Sequence, residues 1–268
     1  MSSDTRLVDA RTRLSTDGIA LVKGLLDDRS LADALSAFQW SMANPSPYYQ
    51  GEFRDDAASV QDLSNPRAYE AYRPMLGRSP FPEFISRLWE GSSVWFMYEQ
   101  IFYKRRGAGR TRWHQDSPYL PVEGSHLLVA WLSFEPVSRE EALEFCAGSH
   151  LGPLYNGTSF ETDDVTDPFY KTGDLPRLPN IEAERQKWRI IGWPTNPGDV
   201  ILFNPSVLHG GGAPDSGRER RTLTLRFFGD DARYTIRPGP TPAPNIEGLH
   251  QSLKPGEPFR NPVFPNLA

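Results

Sequence analysis

The segment 222–227 constrains the fold most, because its side chains alternate without a break. Threonine and arginine occupy the even-numbered positions, and leucine and phenylalanine occupy the odd-numbered ones. A period of two predicts a β-strand whose faces differ in polarity. The chain must therefore contain a sheet that buries the apolar face of this strand.

Further short strands are predicted along the rest of the second half. The stretch 94–104 also alternates, whereas 127–134 and 200–203 are apolar on both faces, which is typical of strands inside a barrel or sandwich. The 25 prolines and 22 glycines suit short strands joined by turns. This pattern predicts a mainly β fold with flanking helices, namely a β-barrel or jelly roll that carries the helices outside.

The first third of the chain differs in pattern. A glycine-bounded apolar run at 18–24 predicts a strand. Asp27 or Asp28 can cap a helix with apolar residues at helical spacing, which the proline-containing stretch 44–47 ends. A second short helix is expected near 83–89, and 48–80 is expected to be mainly loop with a helical piece near 66–72.

No internal repeat or linker divides the chain, so we expect one domain over residues 1–268. Its expected parts are a helical N-terminal segment (1–92), a jelly-roll core (93–236) with an insertion or lid at about 151–189, and a wrapping C-terminal tail (237–268).

Composition argues against several classes of function. A net charge of −5 gives no electrostatic reason to bind nucleic acid or an anionic membrane. The single cysteine, Cys146, allows neither an internal disulfide nor a thiolate metal cage. The opening stretch has no secretory apolar core, and no apolar run is long enough to span a bilayer. We therefore expect a cytoplasmic protein.

The stretch Trp113-His114-Gln115-Asp116 is the first candidate site. On an extended chain, His114 and Asp116 point to the same face and can hold two adjacent positions of a metal. A third ligand would complete a two-histidine, one-carboxylate set, which suits Fe(II). His209 follows a buried strand and precedes three glycines, so it is our candidate. The alternatives are a surface turn and a glycine-rich hairpin with an incidental histidine.

Arg220 lies on the polar side of the clearest strand. A guanidinium inside a barrel needs a partner, and a bound dicarboxylate could supply one through two parallel hydrogen bonds. The alternative is a surface arginine in an arginine-rich hairpin. The other histidines (His126, His150 and His250) are expected to have structural roles.

Taken together, the motifs resemble one known family. They are Trp113-His114-Gln115-Asp116, Phe145-Cys146-Ala147-Gly148-Ser149-His150, Pro197-Gly198-Asp199-Val200, His209-Gly210-Gly211 and the segment 220–227. The pattern is similar to the phytanoyl-CoA dioxygenase-like group and extends from about Gly18 to Phe228. This resemblance implies a non-haem Fe(II), 2-oxoglutarate-dependent oxygenase on a double-stranded β-helix.

The resemblance also implies residue roles. His114, Asp116 and His209 would be iron ligands, and Arg220 would bind the distal carboxylate of 2-oxoglutarate. Gln100, Thr111 and Trp131 would line the co-substrate pocket. The chain departs from the family pattern at Glu140-Glu141, where Asn-Gly is usual, and at Ala147, where proline is usual. Both departures lie at turns, so they affect loop shape rather than chemistry.

The expected activity is hydroxylation of an unactivated C–H bond of a small molecule by O2, with release of succinate and CO2. Asp116 favours hydroxylation over chlorination, because chlorinating members lack this carboxylate. Desaturation, ring closure and epimerisation remain open. Two other classes compete: a cupin-like metal enzyme that does not use 2-oxoglutarate, and a catalytically inactive jelly-roll binding protein. The sequence leaves open the substrate, the role of the insertion and the oligomeric state.

Overall fold

The computed structural model describes residues 3–49, 59–105, 107–159, 162–212 and 218–268. Residues 50–58, within the expected loop, lie outside the described residues, as do Arg106 of the basic turn and residues 160–161 of the insertion. The described residues form five α-helices: α1 (Ser3–Thr16), α2 (Asp28–Ala43), α3 (Ala68–Arg78), α4 (Phe81–Leu88) and α5 (Leu249–Ser252).

Short strands dominate the described residues after the first 90. The strands are β1 (Ile19–Val22), β2 (Ser59–Leu63), β3 (Trp95–Lys104), β4 (Thr111–His114), β5 (Val122–Glu123), β6 (Leu127–Ser133), β7 (Leu143–Cys146), β8 (Ile190–Ile191), β9 (Val200–Phe203), β10 (His209–Gly211), β11 (Arg220–Phe228) and β12 (Arg233–Tyr234).

Two antiparallel sheets make up the core. The larger sheet has the order β1-β9-β6-β11-β3-β2, and the smaller one has the order β4-β10-β7-β8. A separate pair, β12-β5, lies apart from both. This confirms the predicted mainly β, jelly-roll architecture. Hydrogen bonding among the described strands keeps the two sheets separate, so the barrel is built as two facing sheets rather than a continuous ring.

The N-terminal segment supplies more than helices. β1 pairs with β9, and β2 pairs with β3, so both edge strands of the larger sheet come from the first 92 residues. The sequence did not predict β2, because Val60 is its one buried apolar side chain and the buried Asp62 is of a residue type more common in loops. The helical segment therefore contributes strands to the same sheet as the expected jelly-roll core.

The outer face of the larger sheet is covered by helices. In α4, Phe81, Phe84, Ile85 and Leu88 are buried at helical spacing, which places one apolar stripe against the sheet. The ring of Phe81 lies 5.6 Å from that of Phe227 on β11. This packing uses the apolar face of β11, so its polar face is turned toward the smaller sheet. None of the described helices is long and apolar enough to cross a bilayer.

The helix α3 is longer than the expected piece at 66–72, because it continues through Pro74. Proline removes one helical hydrogen bond, so a sequence rule ends the helix before it. Here Tyr72, Met75 and Leu76 are all buried on one side. Their packing keeps the helix in place beyond the proline.

Candidate metal centre

The smaller sheet places the two candidate histidines side by side. His114 ends β4 and His209 begins β10, and the antiparallel pairing of these strands sets the two residues directly opposite each other. Asp116 does not continue the strand as expected. Its backbone is helical, with φ −77° and ψ −34°, and a short 3-10 turn follows it. The turn brings the carboxylate back toward both imidazoles.

The three side chains converge on one point. One ligand atom from each of His114, Asp116 and His209 lies within 4.8 Å of the others. Asp116 Oδ1 is 3.4 Å from His114 Nε2 and 3.8 Å from His209 Nε2. Two imidazole nitrogens and one carboxylate oxygen at this spacing match a facial metal-binding set.

Backbone carbonyls orient both imidazoles. His114 Nδ1 lies 2.8 Å from the carbonyl of Arg112, and His209 Nδ1 lies 3.0 Å from that of Val207. Because a carbonyl can only accept, each Nδ1 carries the proton and donates it. Each Nε2, on the side of Asp116, is then left with a lone pair that a metal could accept, as in metal-binding histidines whose other nitrogen bonds to a carbonyl.

Electrostatics keep His209 and Asp116 in metal-binding protonation states. Burial lowers the pKa of His209 to about 3, with the neighbouring His114 adding to this effect. Burial alone would raise the pKa of Asp116, but Arg226 and the two imidazoles outweigh it, so that pKa lies well below its usual range. A neutral imidazole and an ionised carboxylate are the forms that bind metal.

The carboxylate of Asp116 is shared with Arg226 on β11. Asp116 Oδ2 accepts hydrogen bonds from Arg226 Nη2 at 2.8 Å and from Nε at 3.2 Å. The same Nη2 donates to Gln100 Oε1 at 2.9 Å. The guanidinium also lies over the ring of Tyr98, 4.6 Å from its centroid. Gln100, expected to line the co-substrate pocket, thus lies next to the triad.

Arg220 is buried at the other end of the polar face of β11. It donates to the backbone carbonyls of Glu141, at 2.8 Å, and Gly212. Its Nε is buried and has no hydrogen-bond partner among the described residues. The expectation of an inward-facing guanidinium therefore agrees with the structure, but the described contacts of Arg220 are to neutral oxygens.

A second buried cation faces Arg220. Lys104 on β3 lies directly opposite it in register, and paired residues share a face. Its Nζ donates to Thr111 Oγ1 at 3.0 Å and to the carbonyl of Gly109 at 3.2 Å. Burial, followed by the charge of Arg220, lowers the pKa of Lys104 to about 8. No ion pair links either cation to a carboxylate of the described residues, which leaves room for an anionic ligand.

Trp131, the remaining expected pocket residue, lies where the polar and apolar parts of the inner face meet. It is opposite Thr224 on one side and Ile201 on the other. Trp131 packs in the apolar cluster between the sheets, while Thr224 Oγ1 is buried without a partner in the described part of the chain. Unpaired polar atoms at Arg220 Nε and Thr224 Oγ1 would suit a polar ligand between the sheets.

Sequence reasoning missed Arg226 and Lys104. Arg226 lies on the same alternating face as Arg220, six residues further on, so the face alone carried a signal. The sequence indicated Lys104 only as the first residue of a basic turn. What the sequence could not supply is the pairing of Arg226 with Asp116, which are 110 positions apart.

Comparison with known families agrees with this geometry. The family model described as phytanoyl-CoA dioxygenase matches residues 14–222, most of the chain. The chain belongs to the phytanoyl-CoA dioxygenase family. The human peroxisomal phytanoyl-CoA dioxygenase is 24% identical over 199 residues, which are 71% of this chain and 56% of the human protein. A probable phytanoyl-CoA dioxygenase of Caenorhabditis elegans is 23% identical, over 75% of this chain and 57% of its own length. The chain thus spans little more than half of these relatives.

Solved structures share the fold of this family member. The epimerase SnoN, in complex with Fe3+, alpha ketoglutarate and nogalamycin RO, superimposes with a TM-score of 0.71 at 19% identity over 99% of this chain and all of SnoN. The carbocyclase SnoK from nogalamycin biosynthesis gives a TM-score of 0.70 at 18% identity, over 100% of this chain and 99% of SnoK. At such identities the comparison supports the fold alone.

In this member of the phytanoyl-CoA dioxygenase family, the described part of the insertion 151–189 is held against the segment that carries His114 and Asp116. Side chains at 112–119 bond to it one after another: Arg112 to the carbonyl of Ser159 (3.1 Å), Trp113 to Glu182 (3.0 Å), Gln115 to the amide of Tyr155 (2.8 Å) and Tyr119 to the carbonyl of Thr158 (3.0 Å). The described part of the insertion therefore forms a packed wall beside the triad.

Proposed function

We propose that this chain is an Fe(II)- and 2-oxoglutarate-dependent dioxygenase that hydroxylates an unactivated C–H bond of a small molecule, with release of succinate and CO2. The main support is the convergence of His114, Asp116 and His209, whose ligand atoms lie within 4.8 Å of one another. Family membership over residues 14–222 adds to it. A net charge of −5 offers no support for nucleic acid as the substrate.

Each part of the site has a role in this proposal. His114, Asp116 and His209 would hold the iron, and when bound this metal supplies the activation of O2 for C–H oxidation. Arg220 would bind the distal carboxylate of 2-oxoglutarate, with Lys104 as a second cation on the same face. Gln100, Thr111 and Trp131 would line the pocket between them.

The protein contributes orientation and exclusion of water. Carbonyls of Arg112 and Val207 fix the imidazoles. The buried residues 156–159 of the insertion bond to the segment that carries His114, and Trp131 belongs to the apolar cluster between the sheets, so both would help to exclude water from the centre. A preorganised, dry site supports reactive chemistry without side reactions.

Hydroxylation is proposed over chlorination because Asp116 keeps the carboxylate that a halide would otherwise replace. The names of SnoN and SnoK, an epimerase and a carbocyclase, show that other outcomes occur on this fold. Incubation with isotope-labelled O2 distinguishes them: hydroxylation adds one labelled oxygen atom to the product, whereas epimerisation and ring closure add none.

The co-substrate is tested without knowing the substrate. Purified protein is mixed anaerobically with Fe(II) and 2-oxoglutarate, and the visible charge-transfer absorption of a chelated keto acid is recorded. Admission of O2 should then give succinate that depends on both additions. Metal binding with no effect of 2-oxoglutarate would instead identify a cupin-like enzyme, and absence of metal binding would identify an inactive binding protein.

The cytoplasm is the proposed location. The lone Cys146 is buried and unpaired, as suits a reducing compartment. Because human and rat relatives are named as peroxisomal, the location is best tested by imaging a tagged chain against peroxisomal and cytoplasmic markers.

A further inference from the structure

The two oxygens of Asp116 face different partners. Oδ1 is directed at the imidazoles, 3.4 Å from His114 Nε2 and 3.8 Å from His209 Nε2. Oδ2 is occupied by two donors of Arg226, at 2.8 and 3.2 Å. A carboxylate held in this way can offer one oxygen to a metal while the other stays with the guanidinium.

Arg226 is itself held by neighbouring side chains through Nε and Nη2, while its Nη1 is buried without a hydrogen-bond partner among the described residues. It lies on β11 between β3 and β6, with Tyr98 and Val129 as its register partners. Its Nη2 also donates to Gln100, and its guanidinium lies over the ring of Tyr98. The side chain is 6% exposed, so its orientation is set by these contacts and not by solvent.

Folding alone does not account for this ion pair. Burying two charges carries a desolvation cost that their attraction often fails to recover, and apolar side chains of similar volume commonly serve as well. Elsewhere between the sheets, the chain uses apolar residues such as Ile19 and Ile201. A buried arginine bonded to a metal-ligand candidate therefore points to a role at the metal.

We propose that Arg226 is the positioning residue of the metal centre, which holds Asp116 as a one-oxygen ligand and balances its charge. Without Arg226, Oδ2 would lose these two donors, and the carboxylate would no longer be held in the orientation that offers Oδ1 alone to a metal. This inference rests on the metal site of the proposed function and adds a residue to it.

The first test compares Arg226→Met and Arg226→Lys with wild type. Co(II) affinity is measured by titration, and keto-acid chelation by the charge-transfer absorption of the Fe(II) and 2-oxoglutarate complex. Residues that hydrogen-bond to a metal ligand typically contribute about 10–100-fold to metal affinity. We therefore expect Arg226→Met to weaken Co(II) binding by about 10–100-fold and to lose the absorption band. Arg226→Lys should restore much of both.

The matched control is Arg221→Met. Arg221 is on the same strand, carries the same charge and pairs with a carboxylate, Glu135, away from the metal. It should leave Co(II) affinity unchanged. Wild-type affinity and an intact band in Arg226→Met would overturn the positioning role, whereas failure of wild type to bind Co(II) would overturn the metal site itself.

A second test remains informative if Arg226→Met fails to fold. Asp116→Ala leaves Arg226 beside the vacated ligand position, and the double variant Asp116→Ala/Arg226→Met removes both charges. Formate should restore Co(II) affinity by about tenfold in the single variant, because the guanidinium retains the small carboxylate there. It should do nothing in the double variant. An equal effect in both variants, or none in Asp116→Ala, would contradict the proposal.

Discussion

The space between the two sheets has two ends that share an architecture and differ in chemistry. At one end β1, β9 and β6 face β7, and the buried side chains are apolar, among them Ile19 and Ile201. At the other end β11 and β3 face β4 and β10, and the buried side chains include Lys104, Arg220 and Arg226.

The two faces of β11 differ in the same way as the two ends, one being polar and the other apolar. Its inner face carries Arg220, Thr222, Thr224 and Arg226, while its outer face packs Leu223, Leu225 and Phe227 against the helices. The strand is therefore anchored by one face and leaves the other to polar groups. Apolar burial stabilises the fold, whereas buried cations oppose it unless they have a partner. The two ends should respond differently to substitution.

The largest effect is expected from His209→Ala at the polar end. Loss of a residue that only orients a metal ligand already lowers metal affinity by about 10–100-fold. Loss of a ligand should therefore weaken Co(II) binding by more than about 100-fold and bring 2-oxoglutarate turnover to background. The control is His126→Ala, whose ring stacks on Trp89 outside the site. Turnover that survives His209→Ala would remove His209 from the ligand set.

The apolar end should behave in the opposite way. Ile201 is 1% exposed, and Ile201→Ala should lower the free energy of unfolding by about 2–5 kcal/mol, through lost burial and the cavity left behind. Urea unfolding of the metal-free protein measures this loss. Co(II) affinity under native conditions should stay within about threefold of wild type. A parallel collapse of metal affinity would show that the two ends are coupled.

Arg220→Met should weaken the binding of 2-oxoglutarate without changing the binding of the metal. Truncating one member of a buried charge pair costs at least about 2 kcal/mol, so 2-oxoglutarate affinity should fall by about 30-fold or more. Co(II) affinity should not change, because the contacts of Arg220 are to Glu141 and Gly212 and not to the triad. Equal 2-oxoglutarate affinity in Arg220→Met and Arg221→Met would rule out this role.

What the sequence could predict depended on local spacing. The strand β11, the helix α2 capped by Asp27, and the proximity of His114 to Asp116 are each encoded within a few residues. The extended backbone expected at Asp116 was wrong, because the chain turns there into a 3-10 helix. The two side chains nevertheless meet, since a turn can bring them together as well as a strand.

The rest depended on contacts between distant parts of the chain. β2 becomes a strand because β3 offers it an edge, and α3 continues past Pro74 because Tyr72 and Met75 are buried. The pairing of Arg226 with Asp116 and the facing of Lys104 and Arg220 follow from sheet register. Alternation identifies the face on which a residue lies, but register decides which residue it meets.

The smallest effect concerns pH, and it acts with opposite signs on binding and stability. The pKa of Lys104 is lowered to about 8 by burial and then by Arg220. As pH rises through about 8, folded Lys104 loses its charge, and 2-oxoglutarate affinity should fall by up to about tenfold. In the unfolded chain the pKa of Lys104 is near the ordinary value of 10.5. Between about pH 8 and that value, the unfolded chain binds more protons than the folded one, so the contribution of Lys104 to the stability of the metal-free protein rises with pH.

Lys104→Met isolates this contribution. It should flatten the pH dependence of 2-oxoglutarate binding above pH 8, measured by titration with Co(II) in place, and it should remove the matching rise in apo stability measured by urea unfolding. Arg220 stays charged throughout, so affinity that remains at high pH reports on Arg220 alone. If the affinity of wild type and Lys104→Met fell in parallel with pH, the second cation would not contact the co-substrate, and Arg220 would be the sole anchor of the carboxylate.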